Sequence, residues 1–418
     1  MKKIIFICAV LLLLLAGCGK AEPAPAHFSR QWNFVQCGDT LWTGDTDVEG
    51  VGDLFLSGAL DRQVALCRDP LCDHDGAFCA EDFRYGTIRN YTTDGERIYT
   101  QMRDSERGYE YWKTNGDHRA FAVLAVLDPE IPAGMRELTV YEESSWSRGQ
   151  RISAAGGYVY YREASIPDGM KSDESSPEDW VVRIMRIKSD GGRPERAPVR
   201  ELSVDEAFET DGTFACVIPG TGEVVECVPL EGGEAFVLPS PDGKTASGVA
   251  VTDCGTFLLC RDVAREAAGE MTPSYVRTST AVYRIDRSEE GFSFAPLFGD
   301  AARVIFSDGY IWYSTPEVAY YGTPTYAPGV VQVTAVKLDV FSETAGDLIR
   351  YDPETGETAR WTADKHIVFQ GFSAGYALAF LIDYDELGRT SELDKTLYKL
   401  VLNDDGSVTI AGTIDTAE

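Results

Sequence analysis

The stretch Asp308-Gly309-Tyr310-Ile311-Trp312-Tyr313 narrows what this chain can fold into more than any other. Asp-Gly supplies the positive φ that a tight hairpin turn needs, and the aromatic and β-branched residues behind it suit a half-buried strand. The pattern recurs at Asp94-Gly95 to Tyr99, Gly156-Gly157 to Tyr161, Asp211-Gly212 to Cys216, Asp253-Cys254-Gly255 to Leu259 and Ala374-Gly375 to Phe380. Cys37-Gly38-Asp39-Thr40-Leu41-Trp42 is a weaker first copy. The marker glycines 38, 95, 157, 212, 255, 309 and 375 lie 43 to 66 residues apart.

A second hairpin sits between markers. It is clearest at Asp347-Leu348-Ile349-Arg350-Tyr351 before Asp352-Pro353-Glu354-Thr355-Gly356, and again at Val182 to Ile187, Val282 to Ile285 and Leu397 to Leu402, each followed by a polar turn. Two hairpins per period make four strands per unit. Seven such units predict an all-β chain, a seven-bladed β-propeller of four-stranded blades. The same hairpins in a large β-sandwich are the competing arrangement. A chain of 418 residues usually divides into domains, but blades pack only on their neighbours, so one propeller can run this long.

Met1 to Lys20 reads as a secretory leader: Lys2-Lys3, then an apolar run from Ile4 to Ala16 that is too short to span a bilayer. Leu15-Ala16-Gly17-Cys18 resembles the lipobox of bacterial lipoproteins, which implies cleavage before Cys18 and lipidation of that residue. The expected organisation is a signal peptide over 1–17, a lipid-anchored tether over 18–26 carrying Pro23 and Pro25, and the propeller over 27–418. The chain would then sit on the extracytoplasmic face of the cell membrane, held there by its lipid.

Two stretches carry metal-type chemistry. Asp45, Asp47, Glu49 and Asp53 around Gly50 partly match a calcium loop, but Leu56 stands where the bidentate Glu belongs, and an acidic hairpin loop accounts for the same residues. Cys67, Cys72, His74 and Cys79 make up a tetrahedral zinc set, in the uncommon spacing C-x4-C-x-H-x4-C. Outside the cell such thiols oxidise, so a disulfide within this loop is the alternative. The leader, this segment and the blade repeats together resemble uncharacterised β-propeller-like bacterial lipoproteins of the gut Firmicutes type. The resemblance covers most of the chain and brings no activity with it.

Other cysteines are placed by turn arithmetic. A hairpin turning at Pro219-Gly220-Thr221-Gly222 sets Cys216 opposite Cys227, close enough for a disulfide, with two buried thiols as the alternative. Cys254 and Cys260 fall at opposite ends of one strand, about 20 Å apart, and are not expected to pair.

Gly371-Phe372-Ser373-Ala374-Gly375 matches the nucleophile elbow G-x-S-x-G, which requires strand, turn and helix with a histidine later in the chain. No histidine follows Ser373, so it reads as a turn residue.

Strand alternation sorts the loops. The short Asp-Gly turns fall at one end of each unit; the long insertions 104–118, 162–180, 261–280, 315–346 and 383–395 fall at the other. Loops on a rigid scaffold are where function concentrates. The long-loop end carries the ligand-binding candidates Tyr109, Tyr111, Trp112, Tyr320, Tyr321, Tyr326 and Tyr384, together with Trp180, Tyr275 and several carboxylates. Aromatics beside carboxylates suit stacking on sugars or holding a cationic peptide. The net charge of −29, or −31 once Lys2 and Lys3 leave with the leader, argues against nucleic acid. The reading is a surface-anchored lipoprotein that binds a glycan or a protein partner through its long-loop face. An extracellular hydrolase or lyase acting on carbohydrate, with paired carboxylates on the same scaffold, is the alternative.

Overall fold

The structure is a computed structural model. It describes residues 28–30, 34–37, 40–43, 54–56, 62–65, 85–128, 131–143, 152–167, 169–266, 275–288, 291–301, 303–314, 345–373, 375–382 and 396–416. The described part is built from antiparallel strands, in six four-stranded units of propeller-like architecture. They span 85–143, 152–196, 207–239, 245–301, 303–363 and 366–416; the long strand Thr358–Ser373 closes the fifth of these and opens the sixth. Within a unit, successive strands pair in order, so the two-hairpin period read from the sequence is the unit of the fold. Ahead of them, the short strands at 34–37, 40–43, 54–56 and 62–65 also pair in sequence.

The cores lie between units rather than inside them. Tyr99, Ala122, Leu124 and Tyr141 of the 85–143 unit pack on Ile152, Ala154, Val159 and Tyr161 of the next. The 152–196 and 207–239 units share Tyr160, Val182, Ile184, Phe208 and Val217. The following interfaces repeat the arrangement, with Phe257 and Val282 against Phe306 and Ile311, then Trp312 and Leu348 against Phe369 and Leu400. Sheets between two such cores are covered on both faces, and some of their middle strands are apolar without alternation: Ala122–Val126 and Phe214–Ile218 are buried throughout.

First strands of adjacent units touch one another. Thr92 Oγ1 accepts from Ala154 N, Ser153 Oγ donates to Thr210 O, and Ser307 Oγ accepts from Phe372 N. These first strands form the inner edge of the described units. Fourth strands lie outside, where Glu195–Arg196 and Phe236–Pro239 are largely exposed.

Every described marker glycine has positive φ, from 74° at Gly309 to 138° at Gly255. The turns are of two kinds. Those at 156–157 and 308–309 are two-residue loops, whereas 94–97 and 211–214 have four. In the longer ones the aspartate side chain replaces missing ladder bonds: Asp94 Oδ1 accepts from Glu96 N and Arg97 N, and Asp211 Oδ1 from Thr213 N and Phe214 N. Cys216 does face Cys227. The insertion over 104–118, expected as a long loop, carries an α-helix over Ser105–Asn115.

Candidate functional site

The long insertions that are described behave differently from one another. The expected loop 261–280 is partly ladder, because its two strands run on until Glu266 faces Tyr275. The 104–118 insertion forms the helix Ser105–Asn115, which we label α1, and none of its residues is buried. Local signals make it. Asp104 caps the start by accepting from Arg107 N, and Gly116 ends it at φ 66° with its N–H donating to Trp112 O. Glu110 and Lys113 pair one turn apart.

Tyr109 is 57% and Trp112 40% exposed. Their ring centroids are 5.8 Å apart at 42°. His118 stacks on the indole at 5.3 Å and 18°, so Trp112 is held flat against one partner. Tyr111 turns the other way. It packs on Phe121 at 5.6 Å, with the Arg119 guanidinium 5.6 Å from its ring centre.

Arg119 is the brace behind this platform. Its side chain is mostly buried, and it donates to Asp117 Oδ2 at 2.8 Å, to both oxygens of Glu142 and to Met170 O. Asp117 in turn accepts from Ser172 N, and Ser172 Oγ donates to His118 O at 2.5 Å. Two insertions from adjacent units are thereby locked together, since 166–180 belongs to the next unit. Burial alone would raise the Asp117 carboxyl, but Arg119 and Ser172 hold it below its ordinary value. Glu142, on the same guanidinium, is raised: burial outweighs what Arg119 gives back.

Trp180 was expected on the ligand face and is not there. It is 5% exposed, sits in the core between the 152–196 and 207–239 units, and donates through Nε1 to Ser175 Oγ. Only the backbone of Tyr275 is described. Cys18, Asp45, Asp47, Glu49, Asp53, Cys67, Cys72, His74, Cys79, Tyr320, Tyr321, Tyr326 and Tyr384 lie outside the described residues.

The opposite face holds a cavity of about 570 Å³ among the short turns. Asp94, Glu96, Asp211 and Asp253 line it, with no lysine, arginine or histidine among its walls. It suits positive charge and repels anions. Asp94 Oδ2 accepts from Tyr99 Oη at 2.7 Å, and burial together with that bond keeps the phenol protonated well above its usual range. The short turns thus carry negative charge as well as shape.

Three of the turns are stapled by the threonine just before them. Thr93 Oγ1 donates to Arg97 O and accepts from Gly95 N; Thr210 Oγ1 does the same with Phe214 O and Gly212 N, and Thr252 Oγ1 with Gly255 O and Cys254 N. Ser373 occupies the matching position. It is the last residue before a turn between two strands and pairs with Tyr376, so the elbow geometry of strand, turn and helix is absent there. His366 lies seven residues back along the same strand, about 23 Å away at ordinary rise.

No protein-family model matches the chain, and no curated protein matches it. Solved structures do. YCF48 from Cyanidioschyzon merolae is 10% identical, with a TM-score of 0.40 over 86% of this chain and 94% of that one. The β-propeller domain of Cps50 (Swd1) from Myceliophteria thermophila is 10% identical, with a TM-score of 0.39 over 88% and 96%. The acylaminoacyl peptidase of Pyrococcus horikoshii is 9% identical, with a TM-score of 0.41; 89% of this chain matches 51% of the peptidase, so the chain spans about half its length.

Proposed function

We propose that this chain is a surface-anchored binding protein whose seven-bladed propeller takes a neutral glycan on its long-loop face. The observation that carries the reading is the exposed pair Tyr109 and Trp112 on α1, a helix that buries none of its residues yet is braced across two units by Arg119. Aromatic rings left exposed outside the core, on a fixed base, suit the apolar face of a pyranose ring. Nearby carboxylates such as Glu110 and Glu106 accept from sugar hydroxyls. The net charge of −29 and the acidic mouth on the other face disfavour phosphorylated or sulfated ligands.

The seventh blade is assigned to the strands at 34–65. Val35 and Cys37 join the core of the 85–143 unit, and Cys37 Sγ donates to Gly95 O. Asp415 and Thr416 pair in parallel with Arg62 and Gln63, which would close the ring through the last unit. The leader with Cys18 supplies the lipid anchor and the tether.

A glycan array on the full chain, followed by calorimetry with Tyr109→Ala and Trp112→Ala, tests the assignment. Loss of roughly five- to thirtyfold in affinity in each variant, with thermal midpoints unchanged, is expected if each ring contributes on the order of 1–2 kcal/mol. Binding that survives both substitutions sinks the platform. Selective binding of a protein in place of any glycan moves the function to a partner, and slow release of a shortened sugar moves it to hydrolysis.

A further inference from the structure

The hairpin Phe214–Ile218 and Val224–Pro229 pairs Phe214 with Pro229, Ala215 with Val228 and Cys216 with Cys227 in an unbroken register. The two sulfurs stand 3.8 Å apart, and both residues are buried. They point into the core shared with the 245–301 unit, beside Val225, Val249 and Leu258. The other described cysteines are occupied elsewhere. Cys37 Sγ bonds to Gly95 O, and Cys254 Sγ lies 3.1 Å from Thr252 Oγ1. Cys260 shares the core of Cys216 and Cys227 but belongs to the neighbouring unit. The 207–239 unit also has the shortest ladder of the six, with strands of four to six residues.

We propose that Cys216 and Cys227 are a disulfide site, closed across the second and third strands of this unit by a dithiol-oxidising disulfide reagent. One cysteine, as thiolate, attacks a sulfur of the reagent, forming a mixed disulfide and releasing the reagent's other sulfur as a thiolate. The second cysteine then attacks the protein sulfur of that mixed bond. The S–S bond of the site forms, the reagent leaves as two thiols, and the two protons from the cysteines end on them. Direct opposition on adjacent antiparallel strands is a spacing that a disulfide spans with little backbone movement. Burial fixes the order of events. The Cys216 thiol is held well above its ordinary pKa by its partner thiol and by desolvation, so the exchange occurs before the 245–301 unit closes over the hairpin.

The test is oxidative refolding of the full chain. The protein is unfolded with dithiothreitol, refolded in a mixture of reduced and oxidised glutathione, denatured, labelled with N-ethylmaleimide and digested. The expected product joins the Cys216 and Cys227 peptides, lighter by two hydrogens and without label. The native reduced protein, exposed to the same glutathione only after folding, should form this link far more slowly. The urea midpoint of the oxidised protein should fall on reduction, and the double variant Cys216→Ala/Cys227→Ala should show no such fall. Label on both residues after refolding, or a link from either one to a different cysteine, overturns the site.

Discussion

The two ends of the ring are stabilised by different means. At the short-turn end the 94–97 and 211–214 hairpins are closed by their own residues: a threonine hydroxyl bonded to backbone on both sides of the bend, an aspartate capping free N–H groups, a glycine at positive φ. At the long-loop end the 104–118 insertion is not self-sufficient. Helix α1 has caps but no buried face, and it is held by Arg119, which reaches into the loop of another unit. The first end repeats a local solution, whereas the second is assembled once, from parts that depend on each other. Damage at the first should cost stability of the whole ring. At the second it should cost order or binding locally.

The harshest test of that contrast is Gly212→Val. Gly212 has φ 90°, and a Cβ there would lie 3.0 Å from Gly156 N and 3.2 Å from Ala155 C, both backbone. A loss of about 3 kcal/mol is expected, read as a lower urea midpoint with unchanged slope. A loss below about 1 kcal/mol would mean that the short turns yield as readily as the long loops.

Arg119→Ala comes next. It strands two carboxylates and frees Met170 O, for an expected loss of about 2 kcal/mol. The signature should be local: faster amide exchange across 105–118 and 169–176, with the remaining units unchanged. Uniform loosening of all units would show that the brace serves the ring rather than the platform.

Thr210→Val removes one staple while keeping the side chain's shape. About 1 kcal/mol of stability should go, together with protection of the Gly212 amide. Thr252→Val should match it, since the two turns share the device.

Acid sharpens the comparison at smaller scale, below about 1 kcal/mol. Asp117 is depressed, so its contribution is present above the ordinary carboxylate range and is lost as the pH falls through its lowered value. Glu142 is raised, so its ionised form burdens the folded state, and protonating it gives some stability back. Exchange protection of α1 should therefore hold down to about pH 4 and fail below it. In Asp117→Asn the failure below pH 4 should flatten. The smallest effect on folding belongs to Trp112→Ala, within about 0.5 kcal/mol, because the indole is a surface group.

What the sequence disclosed follows the same divide. Asp-Gly turns were legible because a positive φ is a property of one or two residues, and the Cys216–Cys227 register followed from counting around Pro219-Gly220-Thr221-Gly222. The threonine staple was equally local and equally written, as Thr93-Asp94-Gly95 and Thr210-Asp211-Gly212, but attention to the bend hid the residue before it. Helix α1 escaped because hydrophobic periodicity reports a buried face and this helix has none. Asp104 and Gly116, bracketing eleven residues, were the available signal. Trp180 was misplaced by its position in a long loop, although that loop folds its end back into the core. The Arg119 network spans 23 residues to Glu142 and 51 to Met170, and no local pattern encodes such a meeting.

That α1 buries nothing bears on how this protein can change over time. A residue in the shared cores answers to two sheets at once, so few replacements pass there. Tyr109 and Trp112 answer to neither sheet. On the proposed reading, drift at those positions is screened by the glycan rather than by whether the chain folds. The platform can therefore be rewritten for a new visitor while the ring beneath it stays as it is.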